Sequence, residues 1–542
     1  MTRALPGAAA ALAAALLLSG CSGSTGTSSN SSPVRGGTLV YATGDAEPDC
    51  LDPHVGGNYP QALLSSQYLE PLVGRTSSGK IVPRLAKSWK VSSDGKTVDF
   101  TLRSGVTFTD GTALTANVVK ANIEHLQNPD TKSSTGYLAV TKVSSVEAVS
   151  THHARFHLSS PDSALLESLA QPWNAIESAK ALTRSQKENC ESPVGTGPFK
   201  VTSWKNQQSV TLVRNPNYRP ASASYGTGVA NLSKIVWRFI PDSSTRYAAL
   251  KSGEVDVIDN PQPSTVASAL KGGSITAVQA PRPGSSNRLE LNMSKAPFND
   301  KRVREAFVKA AVVNPGITSL FSGTVKRSYS PLSSVEPLAY SNSSLFKTSL
   351  SKARKLLDEA GWKTGSDGIR TKDGQRLTVT LPVSTNQSIP AEQSLFEQIQ
   401  ASVKKVGFEV KIEPLDLSSW YSALAKNAYD AVSAPYTKIG PDVLRILYAS
   451  DGTVPAPSGY FANHAQIKDA SLDSVLQEAS TSLNTAQRNA AVKKAQQTVL
   501  NAYAILPLYD QQNNFLVGSR VHGFRIDHAV STPSFAAAWV NR

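Results

Sequence analysis

The sequence predicts an α/β protein of two or three domains. Three observations predict it. At 542 residues the chain is too long for one hydrophobic core. Short β-rich runs alternate with longer segments whose apolar residues recur every three or four positions. Gly, Pro and Asp-Gly pairs punctuate nearly every junction between them.

The elements follow in order. "TLVYA" (38–42) is a β-rich run too short for a helix, broken by Gly44-Asp45, Pro48 and Pro53. A strand entering a long Pro-rich loop is a place where ligands are met. In the stretch 81–127, Asp94-Gly95 signals a hairpin, and Val98, Phe100 and Leu102 alternate with polar residues. Asp110-Gly111 turns the chain, and Thr115 caps a helix whose Val119, Asn122, Ile123 and Leu126 share one face. Residues 192–218 read as a Gly/Pro-punctuated entry and two strands. Residues 235–258 read strand, helix, strand, with Asp242 capping and Gly253 stopping the helix. "SLSKARKLLDEAGW" (349–362) spaces Leu350, Ala353, Leu356, Leu357 and Ala360 for a helix ending at Gly361. Residues 377–383 form a strand, and 391–415 give helix, Gly407, strand. Thr485 caps a helix to about Asn501, and 504–524 is strand-like.

At the N-terminus Arg3, an apolar run over 8–18 and small residues before Cys21 make a secretory signal, too short to span a bilayer. Leu18-Ser19-Gly20-Cys21 resembles a bacterial lipobox, which implies cleavage before Cys21 and acylation of its thiol. Residues 22–33 lack apolar periodicity and would tether the body to the membrane. Cys50 and Cys190 are an even pair in an oxidising compartment; a disulfide and two separate buried thiols both fit.

Net charge is +14, from 55 basic and 41 acidic residues, but the Lys and Arg are scattered without a run of five. An exported chain without a basic stripe is not read as a nucleic-acid binder. "THHARFHLS" (151–159) holds three histidines. Ala154, Phe156 and Leu158 alternate with His153, Arg155 and His157, so this is a strand with a polar outer face, and Arg155 between two histidines opposes a cation. No G-x-S-x-G elbow, H-E-x-x-H, P-loop or paired-Cys zinc spacing appears. Nothing among these motifs points to an enzyme, and no cofactor and no metal are expected.

Seven segments in register carry a resemblance: "GGTLVYATG…LDPH", "LAKSWKVSSDGKTVDFTLRSGVTFTDGTALTA", "PVGTGPFKVTSW…LVRNPNY", "RYAALKSGEVDVI", "LNMSKAPFNDKRVREAF", "KARKLLDEAGW" and "LPLYDQ". They resemble the family 5 extracytoplasmic solute-binding proteins of ABC importers, the oligopeptide, dipeptide and nickel cluster. The resemblance implies a bilobal periplasmic-binding-protein-like fold of type II with an extra third domain and two hinge strands. It implies a signal peptide over 1–20, a tether over 21–35, and a first lobe from 36–70, 193–285 and 505–542. An additional α+β domain would span 71–192 and a second lobe 286–504, with hinge crossings near 288–292 and 507–513. The same fold would bring Cys50 and Cys190 to one neighbourhood.

The resemblance also implies a function. Such a protein captures a solute, here a peptide or peptide-like compound, between its lobes and delivers it to membrane permease subunits. It works as a lipid-anchored monomer at the outer face of the cytoplasmic membrane. A non-peptide solute (oligosaccharide or metal chelate) and a sensing receptor without transport are the alternatives. Peptide-binding members place an acidic anchor where this chain has Thr437, with Lys438 beside it, and a buried ammonium lacking a carboxylate is costly. Asp442 either substitutes or caps the helix after it. Trp420, Tyr421 and Tyr436 are candidate aromatic walls. Glu47 and Asn58 in the first loop, and Asn292 at the hinge, complete the expected ligand-binding set.

Overall fold

A computed structural model describes residues 32–433 and 435–541. Cys21 and the signal lie outside the described residues. Among the described residues, no helix is long and apolar enough to cross a membrane.

Strand Thr38–Thr43 pairs in parallel with Lys234–Phe239 on one side and Val257–Asp259 on the other. It is the middle of a seven-stranded mixed sheet, completed by Ser209–Arg214 and Phe199–Lys205 at one end and by Gln512–Gly518 and Ile275–Pro281 at the other. Its apolar face packs Leu39, Tyr41, Phe199, Leu212, Ile235 and Trp237 into one core. Helix Ser243–Ser252 is capped by Asp242, whose carboxylate accepts from Thr245 N, and stops at Gly253 with φ +78°.

Residues 86–158 build a separate antiparallel sheet in the order Ala86–Val91, Thr97–Leu102, His153–Leu158, Val143–Ser150. Val98, Phe100, Ala154 and Phe156 meet helix Ala116–Gln127 through Val119, Ile123 and Leu126. Each such large apolar side chain contributes about 1.5–3 kcal/mol on burial. His153 and His157 sit on the polar face as expected, against Asp99 and Glu147.

The remaining large core gathers on two small sheets. Thr378–Ser384 and Glu409–Leu415 pair in parallel, joined by helix Pro390–Lys404. Asn287–Leu291 lies between Ala431–Ser433 and Ile505–Tyr509. Helix Thr485–Asn501 is capped by Asn484, which accepts from two backbone amides, rather than by Thr485.

One antiparallel ribbon joins the seven-stranded sheet to the three-stranded one. Ile275–Pro281 pairs with Gln512–Gly518, Arg282 N donates to Gln511 O at 3.0 Å, and Asn287–Leu291 pairs with Ile505–Tyr509. The passage between sheets therefore falls at 282–286 and 510–511. Residues 288–291, expected at the crossing, are already inside the second sheet.

Cys50 and Cys190 form a disulfide with Cα atoms 4.5 Å apart.

Candidate functional site

A cavity of about 800 Å³ opens where the ribbon crosses. One wall comes from the loop and helix after the first strand, chiefly Asp45, Glu47, Asn58 and Tyr59. The other comes from the large core, through Trp420, Tyr421, Tyr436, Thr437 and Tyr460. Arg282 and Gln511, on the two strands of the ribbon, line it between these walls.

The first wall is fixed by buried Asp259. Its Oδ2 accepts from Tyr41 OH and Thr43 Oγ1, and its Oδ1 from Gly44 N, each at 2.7 Å. Arg246 donates to the carbonyls of Ile240, Pro241, Asp259 and Asn260 and fills the space under the turn. A Cβ at Gly44 would stand 2.4 Å from its guanidinium carbon, so the turn requires glycine. Asp45 is thereby presented to the cavity with Asn260 Nδ2 3.2 Å from its Oδ1. Burial, and then the Asp259 carboxylate, push the Asp45 carboxyl up to about 7, against the pull of Arg282 and Arg246.

The opposite wall is pinned to the crossing. Ser285 N and Oγ donate to Tyr436 O, and Tyr436 N donates back to Ser285 Oγ at 3.2 Å. Gly284 has φ +89°, and a Cβ there would come 2.6 Å from Lys438 N. This close approach sets Tyr436 and Thr437 beside Arg282. Arg282 Nε donates to Thr437 Oγ1 at 2.9 Å, its Nη2 also bonds Thr437, and its guanidinium lies 3.8 Å above the Tyr59 ring. Among the described residues it forms no ion pair.

Among the described residues, three buried polar atoms on the cavity side chains lack hydrogen-bond partners: Trp420 Nε1, Tyr436 OH and Gln511 Oε1. Burying a donor or acceptor unpaired costs about 1–3 kcal/mol. A cavity carrying a cation, a titrating carboxyl, unpaired donors and acceptors and an aromatic wall is equipped to hold a polar organic solute.

Of the expected ligand residues, Glu47, Asn58, Trp420, Tyr436 and Thr437 face this cavity. Two of them already have internal work. Glu47 accepts from Trp204 Nε1 and Gln207 N, and Asn58 caps helix Tyr59–Ser65 in a capping box with Gln61. Asn292 corrects the expectation: it is fully buried, donating to Asn427 Oδ1 and Tyr429 O and accepting from Ser294, because the strand end is folded under the 427–430 turn. Asp442 is a second correction. It occupies the N-cap position of Val443–Tyr448 without a capping bond. Its carboxylate is held away from the cavity by Lys438 at 3.1 Å and Arg445 at 3.0 Å. Sequence reading missed Arg282, Asp45, Tyr59 and Gln511. The one local signal was Pro281-Arg282-Pro283-Gly284, a charge inside a strand-breaking run.

Comparison with known proteins places this geometry. Residues 80–457 match the family described as Bacterial extracellular solute-binding proteins, family 5 Middle. The glutathione-binding protein GsiB of Pectobacterium atrosepticum is 30% identical over 373 residues, 68% of this chain and 67% of that one. DppA from Helicobacter pylori, solved with the peptide STSA, is 25% identical with TM-score 0.81, over 94% of this chain and 99% of that one. NikA from Brucella suis, solved with Fe(III)-EDTA, is 26% identical with TM-score 0.78, over 93% and 100%. The chain belongs to the family 5 bacterial extracellular solute-binding proteins: it has their bilobal periplasmic-binding-protein-like fold and is the extracytoplasmic solute-binding component of an ABC importer, not an enzyme.

Proposed function

We propose that this chain captures a peptide or peptide-like solute through a free carboxylate and delivers it to an ABC permease. In this reading a lipid on Cys21 holds the body at the outer face of the cytoplasmic membrane. The observation that carries the substrate reading is Arg282, a cation lining the cavity that makes no ion pair among the described residues. A guanidinium offers a carboxylate paired N–H donors in a fixed fork. Thr437 supports the same reading from the other side. It takes two Arg282 donors as a neutral acceptor, whereas an acid there would neutralise the cation. A peptide ammonium would turn instead to Asp45 or Asp49 across the cavity. The volume, about 800 Å³, lies within the roughly 300–1,000 Å³ of small-ligand sites. Glutathione, a tetrapeptide and EDTA, named for the three similar proteins, all carry carboxylates. A carboxylate-bearing metal chelate is the second reading that Arg282 favours. The ribbon at 282–286 and 510–511 would serve as the hinge on which the lobes shut.

A thermal-shift panel tests this. Short peptides, glutathione and chelates with free carboxylates should raise the melting point. A true ligand at 100 times its Kd adds about 2.7 kcal/mol of stability. Equal stabilisation by peptide amides, or a response to oligosaccharides alone, rejects the carboxylate reading. The anchor is tested apart: Cys21→Ser should release the chain from the membrane fraction, and retention there rejects it.

A further inference from the structure

The loop behind the first cavity wall brings a second group of side chains together. Asp52, His54 and His125 each place one ligand-capable atom within 4.8 Å of the others. His54 and Asp52 are buried, and His125, near the end of helix Ala116–Gln127, is half-buried. None of the three lines the solute cavity.

The ligand atoms of His54 and Asp52 are aimed from behind. His54 Nε2 stands 2.8 Å from the carbonyl oxygen of Ala175, which can only accept, so in the neutral ring Nε2 carries the proton. His54 Nδ1 is then a lone pair, and it faces His125 Nδ1 at 3.0 Å. The Asp52 carboxylate accepts from His54 N at 2.8 Å through Oδ1 and from Asn189 Nδ2 at 3.0 Å through Oδ2. Asn189 also donates to Glu177 and directly precedes disulfide-bonded Cys190.

Two imidazole nitrogens this close, one of them a bare lone pair, need a proton or a cation at the contact. A carboxylate oxygen of Asp52 within 4.8 Å of both rings supplies a third candidate ligand, and the carbonyl that fixes the His54 tautomer is the backing that metal-ligating histidines have. A tetrahedral ion with bonds of about 2.0–2.1 Å sets ligand nitrogens about 3.3 Å apart, near the separation here. We propose that Asp52, His54 and His125 bind a divalent transition-metal ion, with zinc best suited to the imidazole–carboxylate set and one coordination position left open. The ion would clip the 44–58 loop, which carries Asp45, Glu47 and Asn58, to the helix of the neighbouring sheet.

The test uses the full chain, stripped with EDTA and dialysed. With cobalt(II) it should develop a tetrahedral d–d absorption saturating at one ion per chain, and zinc should displace that signal and raise the melting temperature. His125→Gln changes the half-buried ligand, and its folding can be checked by circular dichroism; it should weaken zinc by about tenfold or more. Arg282→Met, in the solute cavity, should leave the ion in place, which separates this site from capture of a chelate. No cobalt spectrum in the unmodified chain overturns the site, leaving a simple N–H···N bond. Equal zinc affinity in His125→Gln overturns it as well, since the ion would then sit elsewhere.

Discussion

Arg282 lies on the crossing and Arg288 just beyond it, on the strand Asn287–Leu291 that enters the second sheet, and their surroundings are opposite. Arg288 is fully buried, as is Glu290, to which its Nη2 bonds; its Nη1 donates to Ser285 Oγ at 2.7 Å and Ser286 O at 3.1 Å. Glu290 in turn accepts from Ala465 N at 3.1 Å, and burial pushes its carboxyl up to about 7 against the pull of Arg288. Burial holds neighbouring His464 down to about 3, so it adds no charge of its own. Arg282, at the cavity, has a hydroxyl and an aromatic face and, among the described residues, no ion pair. The contrast separates two uses of a cation: one closed into the sheet that receives the crossing strand, the other left open to a solute.

Breaking the closed site should give the largest effect. Glu290→Ala leaves Arg288 buried and uncompensated and should cost about 3–5 kcal/mol, read by denaturant unfolding. The double change Arg288→Met with Glu290→Leu should recover most of that loss, because an apolar pair of similar volume needs no desolvation. A single variant as stable as the parent would mean that the pair is not sealed.

The open site should respond in binding instead. Arg282→Met should weaken a carboxylate ligand found in the thermal-shift panel by about 1.5–3 kcal/mol, or roughly 10- to 150-fold, the range for hydrogen bonds to charged groups. Unfolding in the absence of ligand should move by less than about 1 kcal/mol. Titration calorimetry with unchanged affinity would remove Arg282 from the site.

That contrast also marks where the sequence was legible. Elements were readable because their signals are local: Asp94-Gly95 turns between Ala86–Val91 and Thr97–Leu102, and Gly361 at φ +84° follows helix Leu350–Glu359. The cap of the 485–501 helix slipped by one position because Asn484 and Thr485 are both capping residues. Trp420 and Tyr436 could be picked out as large aromatics near a recognisable strand. Arg282 and Asp45 could not, since their roles depend on Thr437 and Asp259, 155 and 214 or more positions away along the chain. Asp442 misled for the same reason. Pro-Asp before an apolar run is a capping signal, but Lys438 before the helix and Arg445 in its first turn offer its carboxylate full charges.

The smallest effect, and the finest probe of the open site, is its pH dependence. Asp45 has a folded value of about 7 against 3.8 when unperturbed, and Asp259, Arg282, Arg246 and Asn260 surround it. The folded chain therefore keeps a proton that the unfolded chain has already released between about pH 4 and 7. Stability falls as pH rises through that window, and Asp45→Asn should remove this part of the slope. Binding follows the same proton. Below about pH 7 Asp45 is neutral and Arg282 is free for a carboxylate; above it the new anion competes for Arg282 and repels a ligand that carries carboxylates but no ammonium. Affinity for a dicarboxylate ligand should fall by about 1 kcal/mol, roughly fivefold, from pH 6 to 8, the size of one screened charge interaction. With Asn at position 45 the profile should be flat. A parent profile as flat as the variant's would show that Asp45 is already ionised at pH 6, and Arg282 would then face a permanent counter-charge across the cavity.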